Sequence, residues 1–306
     1  MCDKVPVLFI TFNRLDTVKQ VFAQIQQYKP NQLFLASDGS RNIAGEDLLV
    51  KQVQDYVTQN IDWPCEIQTQ FLQQNLGPAK AVSSFVKWFF KNVEYGIILE
   101  HDCLPHQDFF PFCEQLLHEY KDNKKVFSIS GFNVQGIAND CQNSYYFSNT
   151  HQYWGWAGWK RTVKDYDIYL TNYSLNEFKT KAKPILKSKN EYLFFKDKFL
   201  SMKKQGYNTW DMQLLFNMWK FGMYNIEPKY NLISNIGFGT GAVHCKDPNS
   251  PLANVKTYSI MPLQTPPNIT VNEKADEKTY MKFWYKNNLQ LVWRWFYRHF
   301  LMKKKF

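Results

Sequence analysis

No C-x-x-C pair and no Cys/His spacing of the zinc-binding kind occurs among Cys2, Cys65, Cys103, Cys113, Cys141 and Cys245. A structural zinc module is therefore excluded, and free thiols in a reducing compartment are expected. Also missing is a basic N-terminal region followed by a long apolar segment: Met1-Cys-Asp-Lys-Val-Pro6 runs straight into a strand-like stretch. Without such a leader the expected location is the cytoplasm. The 306 residues contain no internal repeat and no linker that would cut them into independent domains. Acidic residues are absent from 278–306, which carries eight Lys or Arg; with +10 for the whole chain, the remainder is only 10 − 8 = +2. A uniformly basic protein that coats nucleic acid is thereby excluded, and the charge question narrows to one tail. Aromatic residues, by contrast, are plentiful at 17%, which argues for a full core and against disorder.

The apolar pattern of the first hundred residues alternates between two periods. Residues 5–12 form a continuous apolar run of strand length, and Val18, Val21, Phe22, Ile25 and Tyr28 follow at helical spacing. Residues 33–37 and 67–71 read as strands, with helical spacing at Leu49, Val53, Tyr56 and Val57, and again from Val82 to Val93. Gly96-Ile-Ile-Leu99 is the fourth strand. Such alternation predicts an α/β fold: a mostly parallel central sheet with helices on both faces, and ligands beyond the carboxyl ends of the strands. Three polar clusters fall there: Asn13-Arg14, Asp38-Gly39 and Glu100-His101-Asp102. Glu100 and Asp102, one residue apart, share a face if the strand continues through them, and their oxygens suit Mg²⁺ or Mn²⁺ shared with substrate phosphates. A helix from Phe109 to Tyr120 and a strand over 126–130 come next. Residues 140–170, rich in Tyr, Trp, Asn and Gly, read as a loop-built pocket; about 174–205 reads as charged helix, and another helix starts near Asp211.

Taken in chain order, several stretches resemble a GT-A glycosyltransferase, and within that fold the N-acetylglucosaminyltransferase I group. They are Pro6-Val-Leu-Phe-Ile-Thr-Phe-Asn-Arg14 with Thr17-Val18, then Leu35-Ala-Ser-Asp38, and most specifically Ile98-Leu-Glu-His-Asp-Cys-Leu-Pro-His-Gln-Asp-Phe-Phe110. Weaker matches are Gly155-Trp-Ala-Gly-Trp159, Trp210-Asp211 and Ile236-Gly-Phe-Gly-Thr-Gly-Ala-Val-His244. The resemblance spans about residues 5–245. It implies a GT-A, Rossmann-like sheet and the use of a UDP-sugar, by default UDP-N-acetylglucosamine, with Mn²⁺ (or Mg²⁺). It further implies Asp102 as metal ligand, Glu100 beside it on the sugar or a metal-bound water, Asp38 reading the uracil, and His244 at the metal or diphosphate. Asn13 and Arg14 are placed by their neighbouring strand end to meet phosphate. Asp211 is the preferred general base, which fits transfer with inversion. Trp154, Trp156, Trp159 and Trp210 are candidates to line the sugar or acceptor pocket. Two positions depart from the family: His101, kept with Asn13, Arg14, Asp38 and Glu100 among the expected nucleotide-sugar-binding residues, replaces the middle acid of its triplet, and Met212 stands where a second acid follows Trp210-Asp211.

Residues 1–130 are accordingly expected to form the nucleotide-sugar half of one domain and 131–260 its acceptor half, rich in loops and helices. The basic, aromatic C-terminal tail of 261–306 is read as helical. Within it, residues 278–306 mix Trp and Tyr with Lys and Arg, the composition of an interfacial anchor, so an anionic membrane surface at the inner face of the cell membrane is an expected partner. The acceptor would be a glycan or a lipid-linked saccharide; nucleic acid is not expected. Two rivals stand beside this reading. A sugar nucleotidyltransferase shares the sheet and the metal, although Thr11-Phe-Asn-Arg-Leu-Asp16 lacks the glycine-rich loop expected after its first strand. A noncatalytic carbohydrate- or membrane-binding protein would use the aromatics and keep the acids as remnants.

Overall fold

A computed structural model describes residues 4–204, 209–239 and 247–285. Its first part is β1 (Val7–Thr11), α1 (Leu15–Tyr28), β2 (Gln32–Ser37), α2 (Glu46–Gln59), β3 (Glu66–Phe71), α3 (Gly77–Asn92) and β4 (Tyr95–Glu100). There follow β5 (Cys103–Pro105), α4 (Phe109–Glu119), β6 (Val126–Ser130), β7 (Tyr145–Ser148) and β8 (Trp156–Trp159). The remainder comprises α5 (Leu175–Ala182), α6 (Lys189–Lys203), α7 (Met212–Phe221), β9 (Tyr224–Pro228), β10 (Ile233–Asn235) and α8 (Glu273–Thr279). Eight strands form one sheet in the order β3-β2-β1-β4-β8-β6-β9-β7, and β5 pairs with β10 in a small separate ribbon. Strands β1 to β4 are mutually parallel, as are β6 and β9, whereas β8 runs antiparallel to both its neighbours and β7 antiparallel to β9. The α/β class expected from the alternating pattern is the fold observed.

The strand period explains how both faces are covered. Val7 and Phe9 belong to one hydrophobic cluster with Val18, Val21, Phe22 and Ile25 of α1. Leu8 and Ile10, pointing the other way, belong to a second cluster with Val82, Phe85, Val86 and Phe89 of α3. All four β1 residues are at most 5% exposed, and each such side chain contributes about 1.5–3 kcal/mol relative to staying in water. A central parallel strand buried on both faces shows no polar alternation, so it reads in sequence as a continuous apolar run.

The region read as a loop-built pocket contains two strands, β7 and β8. Both are four residues long and every residue in them is buried, so neither shows the alternation by which a half-buried strand is found. The charged stretch after 174 divides into α5 and α6, each opened by a capping box: Glu177 N–H donates to Ser174 Oγ at 3.2 Å and Glu191 N–H to Ser188 Oγ at 3.1 Å. The start of the basic tail has one face packed on the fold. Tyr280 and Trp284, in a π-helical turn after α8, are 5% and 6% exposed and pack on Phe195 of α6, so these residues are structural. Residues 286–306 lie outside the described residues. No described helix is long and apolar enough to cross a membrane.

Candidate active site at the carboxyl edge of the sheet

β4 ends at Glu100, and the chain turns at once: His101 and Asp102 form the turn into β5, which pairs antiparallel with β10. The two carboxylates therefore do not share one strand face, as an uninterrupted strand would require; the turn brings them together. Asp102 is fixed by its own backbone, whose carbonyl accepts from Ile236 N–H at 2.9 Å. The chain after β10 then lies directly against the Asp102 side chain. A Cβ on Gly237 would stand 2.1 Å from Asp102 Oδ2, so only glycine admits this approach. Arg14, at the end of β1, reaches across and donates from Nη1 to the Gly237 carbonyl at 2.8 Å. Asp102, Arg14 and Gly237 thus meet at one point from three distant parts of the sequence.

Charge at this point is concentrated. Burial pushes the Glu100 carboxyl well above its usual range, and the Asp102 and Asp211 carboxylates push it in the same direction. Burial lowers the half-buried His101, Asp102 draws it back up and the Arg14 cation lowers it further; the net shift is downward, so it is neutral at pH 7. Among the described residues no group of three or more His, Cys, Asp or Glu side chains is placed to hold a metal unaided. The donor set is still of the right kind for a hard divalent cation. Carboxylate oxygens crowded enough to resist ionisation are stabilised by such an ion, which would complete its shell from phosphate and water.

Asp211 is the N-cap of α7. Its Oδ1 accepts from Met212 N–H at 2.7 Å and from the Thr209 hydroxyl, which leaves Oδ2 for another partner. The cap and the base role are therefore compatible. Met212, in the place of the family's second acid, is buried at 8% exposure.

Asp38 is where the expectation fails. Its Oδ1 accepts from the N–H groups of Gly39 and Leu76, both at 2.9 Å, and its Oδ2 from Gly77 N–H and Asn75 Nδ2, both at 3.0 Å. Four bonds fill the four lone-pair positions of a carboxylate, so none remains for a uracil N–H. Asp38 fastens the turn that begins α3. Gly39 packs so closely there that a Cβ would meet the Gln74 carbonyl carbon at 2.6 Å. Asn13 is likewise engaged: its Nδ2 donates to Glu46 Oε1 at 2.8 Å. Glu46, 4% exposed, also accepts from the Arg41 backbone and guanidinium, and that guanidinium lies over the Phe12 ring at 5.3 Å. Arg41, Glu46 and Gly237 were not assigned roles from sequence. An Arg and a Glu five residues apart beside a strand end carry no signal until the loop is seen to fold back on β1.

The tryptophans separate into two groups. Trp156, Trp159 and Trp210 are 0%, 3% and 7% exposed and pack into the core, Trp156 against Trp210 and Trp159 beneath the Arg161 guanidinium at 3.9 Å. They have no open face for a sugar, which corrects their reading as pocket walls. Trp154 is half-buried between Phe132 and Phe238, beside the Gly237 turn, and keeps that candidacy. His244 lies outside the described residues.

The chain matches no protein-family model, and no curated protein matches it. Several solved structures are similar in part. HddC from Yersinia pseudotuberculosis is 10% identical over 53% of this chain and 80% of its own, with a TM-score of 0.33. The 4-diphosphocytidyl-2C-methyl-D-erythritol synthase of Anaerococcus prevotii DSM 20548 is 10% identical over 64% and 82%, with a TM-score of 0.30. An apo UDP-glucose pyrophosphorylase is 8% identical over 76% and 93%, with a TM-score of 0.35. None of these three is named as a glycosyltransferase, and at such TM-scores the likeness carries no conclusion about this chain.

Proposed function

We propose that this protein is a transferase acting on a nucleotide-diphosphate sugar, and within that class a metal-dependent glycosyltransferase that uses a UDP-sugar. The observation that carries the proposal is the meeting of Asp102, Arg14 and the Gly237 turn at the end of β4, with Glu100 and Asp211 within electrostatic reach. Sugar transfer requires the departing diphosphate to be neutralised, and an acidic residue beside a guanidinium at a sheet edge serves that need from two sides. Asp102 would hold Mn²⁺ or Mg²⁺ together with the phosphates, the ion supplying Lewis-acid stabilisation of the leaving group. Arg14 would exchange its bond to the Gly237 carbonyl for a phosphate oxygen. Glu100 would orient the sugar, and Asp211 Oδ2 would take the proton of an acceptor hydroxyl, giving inversion. UDP-N-acetylglucosamine as donor, and a glycan or lipid-linked saccharide as acceptor, rest on the resemblance alone. Residues 286–306 keep their proposed contact with an anionic membrane.

A second reading, nucleotidyl transfer to a sugar phosphate, has its own supporting observation. The connection from β2 to α2 carries Gly39, Ser40, Arg41 and Gly45 beside the same edge, which supplies the glycines that the β1–α1 connection lacks and an arginine besides Arg14. One experiment separates the readings. Purified protein with Mn²⁺ is offered a panel of UDP-sugars and, separately, UTP with sugar 1-phosphates. Release of UDP supports glycosyl transfer and release of pyrophosphate supports nucleotidyl transfer. If neither appears, with wild type matching Asp102→Ala, the protein is a noncatalytic binder; release that Asp102→Ala leaves unchanged overturns the role of Asp102.

A further inference from the structure

Away from this edge, α6, α7, α8 and the turn after α8 enclose a cavity of about 40 Å³. Its walls are the aromatic side chains Phe195, Trp219, Tyr280 and Trp284, and its polar side carries Glu191 and Asp276. Phe195 is central: Trp219 lies 4.9 Å from it edge-on, Trp284 5.5 Å and Tyr280 6.3 Å. Two observations point to a missing occupant. The Tyr280 hydroxyl is buried with no hydrogen-bond partner, in a residue only 5% exposed. The carboxyl groups also outnumber the cations: Glu191, Glu273, Asp276 and Glu277 all line the cavity, against Lys187 alone, which is already paired with Glu273 at 2.7 Å at an exposed mouth.

We propose that this cavity is a binding site for the head of a small organic cation, an alkylammonium group. Aromatic faces attract a cation through their quadrupoles, and the attraction grows when the cation is desolvated between them. Carboxylates at one side supply the charge. A metal ion is disfavoured because most of the wall is hydrocarbon and indole, not oxygen. The volume sets the size: with one water needing about 10–15 Å³ of such space, the cavity admits a group of about three heavy atoms beyond its nitrogen, the range from methylammonium to trimethylammonium. The Asp276 carboxyl, held by Ser148 Oγ at 2.5 Å and Asn149 N–H at 2.8 Å, is pushed up to about 7 chiefly by burial, and a cation beside it would favour its charged form. Nothing in this site depends on the sugar-transfer reading, since none of its residues belongs to the β4 edge.

Tryptophan fluorescence of the full-length protein tests the proposal, because Trp219 and Trp284 form two of the walls. Titration with trimethylammonium chloride is compared with NaCl at equal ionic strength and with tert-butanol, a neutral group of similar shape. The expected result is a saturable change with half-effect on the order of 1 mM for the ammonium only. Asp276→Asn and Glu191→Gln, which keep size and hydrogen-bonding oxygen, should each weaken it at least about tenfold, with far-ultraviolet circular dichroism confirming that they fold. An equal response to NaCl or to tert-butanol overturns cation recognition. So does an unchanged titration in both folded variants, and if the variants do not fold, the comparison of the three solutes on wild-type protein decides.

Discussion

The two halves of the central sheet handle polar residues in opposite ways. On the side of β3, β2, β1 and β4, the strands β1, β2 and β4 are mainly apolar, only the edge strand β3 is polar along its length, and the polar groups of the site stand at or just beyond the carboxyl ends: Asn13, Arg14, Asp38, Glu100 and Asp102. On the side of β8, β6, β9 and β7, polar residues lie inside the sheet. Ser128, Ser130, Ser148, Asn225 and Glu227 are all at most 2% exposed, and four of them are linked: Ser128 Oγ donates to Asn225 Oδ1 at 2.9 Å, and Asn225 Nδ2 to Glu227 Oε1 at 2.8 Å and to Ser130 Oγ at 2.9 Å. Burial, with the nearby Asp276 adding to it, pushes the Glu227 carboxyl well above its usual range. The first half puts its charge where a ligand can meet it, and the second half neutralises its charge in the interior. Removing a ligand-facing charge in the first half should therefore affect turnover, and removing a buried acid in the second should affect pH-dependent stability.

The largest expected effect is on activity. Asp102→Asn keeps the shape of the side chain against Gly237 but removes the charge, and should lower kcat/KM by roughly 10³-fold, about 4 kcal/mol, in the UDP-release assay. Its urea midpoint should stay close to wild type, because the carbonyl that binds Ile236 N–H is untouched. A drop of less than tenfold, or a stability loss as large as the activity loss, would erase the contrast between the halves. The second effect belongs to the other half. Asp276 ionises at about 7 in the folded protein, above its ordinary carboxylate value. Below pH 4 the proton is bound in both states and its stabilisation is complete; as the pH rises to 7 the unfolded chain ionises first and the folded state loses ground. Urea unfolding between pH 4.5 and 8 should show a fall of roughly 2–4 kcal/mol from this group, the smaller figure allowing for solvent at its partly open side. Asp276→Asn should remove much of the slope and the double variant with Glu227→Gln more of it, the buried Glu100 accounting for part of what remains. A flat wild-type profile would show that the interior acids are not held neutral.

The same contrast sets how much was legible in the sequence. The first half could be read because β1, β2 and β4 are near-continuous apolar runs and its helices keep strict spacing, so Glu100 and Asp102 fell at a strand end by counting. Asp211 was legible as an acid opening a helix. The geometry of those residues was not. That the chain turns at His101, and that Gly237 closes on Asp102, depends on β5 pairing with β10 across more than a hundred residues, and three-residue strands leave no periodic trace. The uracil role that the resemblance implies for Asp38 could not be weighed from sequence, because a motif does not show where lone pairs go: here the N–H groups of Gly39, Leu76 and Gly77 and the Asn75 side chain take them. Trp156 and Trp159 were misread because a Gly/Trp alternation in a loop and in a buried four-residue strand is the same string. Only burial distinguishes the two.

Asp38 supplies a third, intermediate effect. Asp38→Ala leaves the Gly39, Leu76 and Gly77 N–H groups without their acceptor, and at about 1 kcal/mol for each should cost roughly 3 kcal/mol. Asp38→Asn retains one acceptor oxygen and should cost less than the alanine variant. If uracil binding were instead the residue's task, both variants would raise KM for the donor with little change in the urea midpoint.

The smallest effect tests the contrast within a single type of residue. Asp108, at the start of α4, accepts from Ser259 Oγ at 2.6 Å and from the N–H groups of Ile260 at 2.8 Å and Met261 at 3.3 Å, fastening a segment some 150 residues away. Burial raises this carboxyl, but the Ser259 hydroxyl and the two amides together outweigh it and hold the group below its ordinary value. The sign is therefore opposite to that of Asp276: its stabilisation is present above the unfolded value and is lost as the pH falls through the folded one. Asp108→Asn should cost about 1 kcal/mol at pH 7 and almost nothing near pH 2.5. Measured together, the two acids should bend the stability profile in opposite directions, Asp108 on the acid side and Asp276 toward neutrality. A common direction would mean that hydrogen bonds to backbone N–H groups, which both acids possess, do not decide the sign; burial alone would then set the charge state throughout the molecule.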